Sequence, residues 1–80
     1  MKRKFYAIYD KLAGRYTYLF ESENNQTATR LFQGEAMREG GVINQNPEDF
    51  KLCTVGEFDD LSGEFSNNYE KVCDAIKQEG

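Results

Sequence analysis

The sequence has no histidine and no tryptophan, a single proline and two cysteines among its 80 residues. Without histidine it lacks the commonest general base, the commonest zinc ligand and every Ser-His or Cys-His nucleophile pair. Cys53 and Cys73 are too few for a secreted disulfide scaffold. They read as small apolar fillers on a strand and a helix, or as one disulfide. No apolar run is long enough to span a membrane, and Phe5–Tyr9 is too short and too aromatic for the apolar region of a signal peptide. The expectation is therefore a soluble cytoplasmic protein with no membrane partner. Glycine-rich phosphate loops are also missing, because Gly40-Gly41 ends a helix rather than opening one. A chain of this length makes one domain, residues 1–80, near the lower limit for a core that folds without staples. It has little room for a deep substrate pocket and suits a binding module, a regulator or an oligomer subunit better than an enzyme.

Charge is present and unevenly placed within a net −4. Lys2, Arg3, Lys4, Lys11 and Arg15 are opposed only by Asp10 in the first twenty positions. Glu48, Asp49, Glu57, Asp59, Asp60, Glu64 and Glu70 are opposed only by Lys51 between residues 48 and 70. Such polarity steers partners or favours head-to-tail contacts, or it belongs to two solvated edges of one small sheet.

Phe5–Tyr9 is rich in aromatic and branched residues and predicts a first strand. After the turn signals Asp10 and Gly14, Tyr16, Tyr18 and Phe20 alternate with Thr17, Leu19 and Glu21, predicting a second strand paired with the first. From Thr27, apolar residues at Ala28, Leu31, Phe32, Ala36 and Met37 follow one helical face, and Gly40-Gly41 stops it. Gly34 weakens the middle of that helix and leaves room for another backbone to approach. Residues 42–49 read as a loop. A strand follows over 50–58 with a bulge at Gly56, then a tight turn at Asp59–Gly63 and a short strand at Glu64–Ser66. Tyr69, Val72, Cys73 and Ile76 then predict a C-terminal amphipathic helix, capped by Asn67 with Glu70 completing a capping box. The order is β-β-α-β-β-α: an α+β domain with a mostly antiparallel four-stranded sheet and its helices on one face. The first strand carries Tyr6 and Ile8 on one face and Phe5, Ala7 and Tyr9 on the other. Helices on one side cover only one of these, so the other face is expected to meet a second subunit, a nucleic acid or a host protein.

Two constellations bear on chemistry. Glu57, Asp59, Asp60 and Glu64 are oxygen donors, yet their spacing is not that of an EF-hand, and Asp-Asp-Leu-Ser-Gly is also what a hairpin turn requires. No pocket is indicated that would shift these carboxyls toward acid–base catalysis. Lys2, Arg3, Lys4, Lys11 and Arg15, interleaved with Phe5, Tyr6, Tyr9, Tyr16 and Tyr18, are the ingredients of single-stranded nucleic-acid binding: cations for phosphates and rings for bases. The alternative is that the rings are core or dimer interface and the lysines keep an edge strand soluble. The acidic balance of the chain counts against non-specific nucleic-acid binding.

The run NPEDFKLCTVGEFDD, Asn46–Asp60, followed by SGEF, Ser62–Phe65, resembles the signature of the small nonstructural protein of microviruses, in particular the gokushovirus branch of single-stranded-DNA bacteriophages. MKRKFYAIYD at the start and TATRLF at the helix are similar to that family's corresponding segments. The resemblance covers residues 1–66, with 47–60 its most specific part, and NNYEKVCDAIKQEG departs from it. Membership implies expression in the host bacterial cytoplasm and a nonstructural, DNA-binding role in genome replication, or in the switch to single-strand synthesis and packaging. It carries over no catalytic residues.

The reading is therefore a non-enzymatic phage accessory protein, without cofactor or metal. Its expected partner is single-stranded DNA or the replication or packaging complex, and its expected state a homodimer. Lys2, Arg3, Lys4, Lys11 and Arg15 are the candidate phosphate contacts, with Tyr6, Tyr16 and Tyr18 for stacking. The alternative is a protein-interaction module whose Glu57, Asp59, Asp60 and Glu64 engage a basic host or phage protein surface.

Overall fold

A computed structural model describes residues 1–76. Its elements are strand β1 (Lys2–Asp10), strand β2 (Arg15–Ser22), helix α1 (Asn25–Met37), a one-turn helix α2 (Val42–Gln45), a 3₁₀ turn (Pro47–Asp49), strand β3 (Phe50–Asp59) and strand β4 (Phe65–Asp74). The strands form one antiparallel sheet in the order β2-β1-β3-β4, so the first strand is central. The domain is α+β, as its alternating and helical periods predict.

Both hairpins are built on one device. Asp10 accepts hydrogen bonds from the amides of Leu12 and Ala13 at 3.0 and 3.1 Å, and Gly14 closes the turn at φ +70°. Asp59 accepts from Leu61 and Ser62 at 3.0 and 3.4 Å, and Gly63 closes at φ +78°. In each case an aspartate satisfies local amides and a glycine takes the left-handed position four residues on. DKLAG and DDLSG are thus two copies of an Asp-x-Leu-x-Gly turn.

Helix α1 begins where Asn24 accepts from the Thr27 amide at 2.9 Å, satisfying a donor the first turn leaves open. It ends before Gly40, at φ +82°. Ala28, Phe32 and Ala36 are fully buried, whereas Leu31 and Met37 stay about half exposed, so the core stripe is narrower than the apolar spacing predicts. A side chain at Gly34 would meet nothing, so no backbone approaches there. The helix lies against Tyr6, Ile8, Phe50 and Leu52, with Phe20, Ile43, Val72 and Cys73 at the margin. The predicted loop at 42–49 is largely α2 and the 3₁₀ turn, tied back to α1 by Asn44 donating to the Ala36 carbonyl at 2.9 Å.

The C-terminal segment differs from its prediction. Residues 65–74 are the edge strand β4 rather than a short strand and a helix. Asn67 pairs with Gly56, and the Glu70 amide donates to Thr54 Oγ1 at 2.9 Å, so neither residue caps anything. The cause is a bulge: Cys53 pairs with Lys71 but Leu52 with Cys73, leaving Val72 as an extra residue. One insertion turns a period of two into a spacing of three and four, which imitates a helical face. The expected end of that helix, residues 77–80, lies outside the described residues. The predicted irregularity at Gly56 is present as a register shift between Thr54 and Gly56.

Between β1 and β2 the Arg3 guanidinium donates to both Glu21 oxygens at 2.5 and 2.6 Å, and within β4 Lys71 Nζ lies 2.7 Å from an Asp74 carboxylate oxygen. Hydrogen bonds from Arg3 to Glu21, from the turn amides to Asp59 and from Lys71 to Asp74 hold these three carboxyls below the ordinary carboxylate range.

Two outcomes follow from this packing. Phe32→Ala costs about 3–5 kcal/mol in urea denaturation, whereas Leu31→Ala, one position away on the exposed flank, costs under about 1 kcal/mol. Glu21, Asp59 and Asp74 bind protons more readily unfolded than folded. Their stabilisation is thus present above the ordinary carboxylate pKa of about 4 and is lost as pH falls through the lowered folded values. Melting temperatures recorded from neutral pH downward fall in that acid window. Asp59→Asn, which keeps the turn's acceptor oxygen but cannot titrate, flattens the fall.

Candidate nucleic-acid interface

Among the described residues, no helix covers the face of the sheet opposite α1, yet parts of it are buried. Ala7 is 1% and Cys53 4% exposed. They are covered by rings from the sheet's own edges. Tyr16 on β2 and Tyr69 on β4 stand at opposite margins, with β1 and β3 between them, and their ring centroids lie 6.0 Å apart. Three inter-strand spacings amount to about 14 Å in a flat sheet, so the two side chains lean inward over a sheet that curls toward them. Tyr16 also packs on Tyr9 at 4.8 Å, and Phe5 meets Phe65 at 5.8 Å. Phe65 lies over Gly56, where a β-carbon would sit 2.7 Å from the ring and run into the Ser66 carbonyl. Glycine at this bulge therefore lets β4 and its ring close down on β3. The result is a concave aromatic face with a floor of Ala7, Cys53 and Gly56.

Tyr16, of the three expected stacking residues, is on this face. Tyr6 is not: it is 1% exposed, in the core beneath α1, with its hydroxyl donating to Asn25 at 2.8 Å. Tyr18 is exposed but on the helix side, where its ring lies 5.9 Å from Phe20 and lines a cleft with Ile8, Arg38 and Val42. The physical reason is a bulge in β2. Ala7 pairs with Leu19 and Tyr9 with Tyr16, so Thr17 and Tyr18 together face Ile8 and the alternation reverses between Tyr16 and Tyr18. Thr17 Oγ1 donates to the Ile8 carbonyl at 2.9 Å, fixing the bulge. Tyr69 was hidden in a segment that scans as a helix, and Phe65 in a strand expected to stop at Ser66, so the two were never placed on one strand. Their four-residue spacing places both on one face of a strand as well.

The charged segments, far apart in sequence, meet in space. Antiparallel pairing of β1 with β3 sets Lys2, Arg3 and Lys4 against Asp59, Phe58 and Glu57. Arg3 is held by Glu21, and the Met1 ammonium lies 2.9 Å from Asp60. The basic start and the acidic turn thus share one end of the sheet and offset each other. Arg15 pairs with Asp10 across the first hairpin. Asp59 serves its turn, and Glu64 accepts the Asp59 amide through its carbonyl at 2.8 Å. No group of three or more Cys, Asp or Glu is arranged to hold a metal among the described residues.

Cations also border the concave face. Lys51 lies 5.1 Å from the centre of the Tyr9 ring, a cation–π contact. Lys71 pairs across the sheet with Cys53, and Lys11 lies 3.7 Å from Asp74. Lys51 and Lys71 both act on the Cys53 thiol, although burial is the larger influence and pushes it up. Both cysteines are free: Cys53 lies under the rings, and Cys73 is on the helix side, within reach of Thr29 and Gln33. The reading of the two as small apolar fillers fits these places, although Cys73 stands on a strand and not on a helix.

No described helix is long and apolar enough to cross a membrane. No solved structure matches the chain. It is 35% identical over 65 residues to Protein ORF5 of Chlamydia phage 1, an alignment covering 76% of this chain and 68% of that protein. The family model described as Phage ORF5 protein matches residues 3–78, and so includes the C-terminal segment that the sequence resemblance left out. The chain therefore belongs to the Phage ORF5 protein family.

Proposed function

We propose that this chain is a non-enzymatic phage accessory protein. On this reading it binds single-stranded DNA, or the replication or packaging complex that carries it, in the cytoplasm of an infected bacterium. The observation that carries the proposal is the concave face, where Tyr9, Tyr16, Tyr69, Phe5 and Phe65 lie together with Lys11, Lys51 and Lys71 at its border. Exposed rings offer flat surfaces for unpaired bases at about 1–3 kcal/mol each, and the border lysines reach phosphates. Duplex DNA hides its bases from such a face, so the proposal is specific to single strands.

The proposal moves the phosphate contacts away from the N-terminal cations. Lys2, Arg3 and Lys4 stand beside Glu57, Asp59 and Glu21, which compete with phosphate for them. Lys51 and Lys71 have Asp74 as their nearby acid and adjoin the rings. The reading needs no second copy, because the rings themselves cover the floor of the face. A homodimer is compatible with it.

A second reading is favoured by one observation. Leu61 is 89% exposed at the tip of the β3–β4 turn, flanked by Asp59, Asp60 and Glu64. An apolar anchor within acid suits a basic protein surface, with Glu57 at the margin.

Fluorescence anisotropy of a labelled single-stranded oligonucleotide separates the two. The first reading gives saturable binding that weakens with salt. Lys51→Ala with Lys71→Ala then reduces the salt slope by about 1.4, the value for two lost contacts on a single strand. Lys2→Ala, Arg3→Ala and Lys4→Ala together reduce it less. No binding at low salt, where the electrostatic contribution is greatest, overturns the first reading and leaves the acidic turn as the site to pursue.

A further inference from the structure

We infer that Tyr16 and Tyr69 form a clamp that holds one unpaired base of single-stranded DNA between them. The inference rests on the single-strand reading above and specifies how its site works. The two rings come from opposite edges of the sheet, so no single strand fixes their separation: it is set by side-chain rotation and by the curl of the sheet. Their centroids lie 6.0 Å apart with the planes inclined at 38°. A planar base stacked on both sides needs ring planes about 7 Å apart, two stacking distances of about 3.4 Å. An opening of about 1 Å and a reduction in tilt convert the resting contact into that slot, a change within ordinary side-chain motion.

The surroundings fit a base rather than another apolar side chain. The two rings are 48% and 57% exposed, so each retains an outer surface and an approach from solvent. Beneath them lie Ala7 and Cys53, small side chains that leave depth for the edge of a ring. Other rings on the face are already committed. Tyr9 is packed on Tyr16 at 4.8 Å with Lys51 on it, and Phe65 closes over Gly56 against Phe5. A base in the slot carries its phosphates past Lys51 on one side and Lys71 on the other. Lys71 then exchanges its contact with Asp74 for a phosphate. At rest the two rings lie against each other, so the slot is closed in the free protein.

The test separates this clamp from the broader reading. Three oligonucleotides of equal length are titrated: one with every base present, one wholly abasic, and one abasic except for a single central 2-aminopurine. A clamp makes the single base raise affinity at least about tenfold over the abasic strand, as expected for stacking on two rings. It also quenches the 2-aminopurine fluorescence. Tyr16→Leu and Tyr69→Leu each abolish that gain and relieve the quenching, whereas Tyr16→Phe and Tyr69→Phe preserve both. Circular dichroism confirms that the leucine variants keep their fold. If the fully based strand binds and responds to both leucine variants, but the single base adds nothing, the rings stack on separate bases and the clamp is overturned while the single-strand reading stands. If the fully based strand does not bind at all, both fail together.

Discussion

The central strand β1 carries apolar side chains on both of its faces, and among the described residues one substantial helix is present to cover them. Tyr6 and Ile8 are buried beneath α1, against Ala28, Phe32 and Leu52. Phe5, Ala7 and Tyr9 point the other way, where no described helix lies. The cover comes instead from the edge strands, whose aromatic side chains lean inward from β2 and β4 and meet over the floor. That arrangement requires curl in the sheet, and the curl follows from features in the sequence. Bulges at Thr17–Tyr18, at Gly56 and at Val72 each add local twist, and the glycine allows β4 to close on β3. A domain of this size gains a second small core in this way without a second layer of helices.

The same interplay explains which parts of the fold were legible in the sequence. Both aspartate–glycine turns, the Asn24-capped start of α1, the glycine stop and the Gly56 irregularity are local, and local chemistry specifies them. Two misreadings have one cause. A single extra residue in β2 sends Tyr16 and Tyr18 to opposite faces, and a single extra residue in β4 gives Tyr69, Val72 and Cys73 a helical spacing. A bulge has no residue signature of its own here, since neither Tyr18 nor Val72 is a glycine. Tyr6 was ambiguous for a different reason: in a strand with two apolar faces, alternation separates the faces but does not say which one receives the helix. The meeting of the basic start with the acidic turn depends on pairing between β1 and β3, a long-range contact that composition cannot reveal.

The candidate site changes character accordingly. The segment-wise charge polarity suggested a cationic patch at one end and an acidic patch at the other, each ready for a partner. In the folded chain the two lie side by side, joined by the Met1 ammonium and Asp60 and flanked by the Arg3–Glu21 pair. Exposed ion pairs of this kind contribute little to stability, but they do offset each other's long-range field. The unbalanced feature is aromatic. It lies on the concave face, beside Lys11, which the sequence had offered as a phosphate contact, and beside Lys51 and Lys71, which it had not. On the proposed reading, an acidic protein engages single strands more readily through rings than through net charge.

The account stands on Tyr16 and Tyr69 meeting above Ala7 and Cys53. Nuclear Overhauser contacts in the free protein test this most directly, because ring protons from opposite edges of a flat four-stranded sheet are too far apart to give any. The account predicts a cross-peak between the Tyr16 and Tyr69 rings and an Ala7 methyl resonance shifted upfield by the rings above it. The absence of that cross-peak, with the Ala7 methyl at an ordinary position, would show a flat, open face and contradict the account.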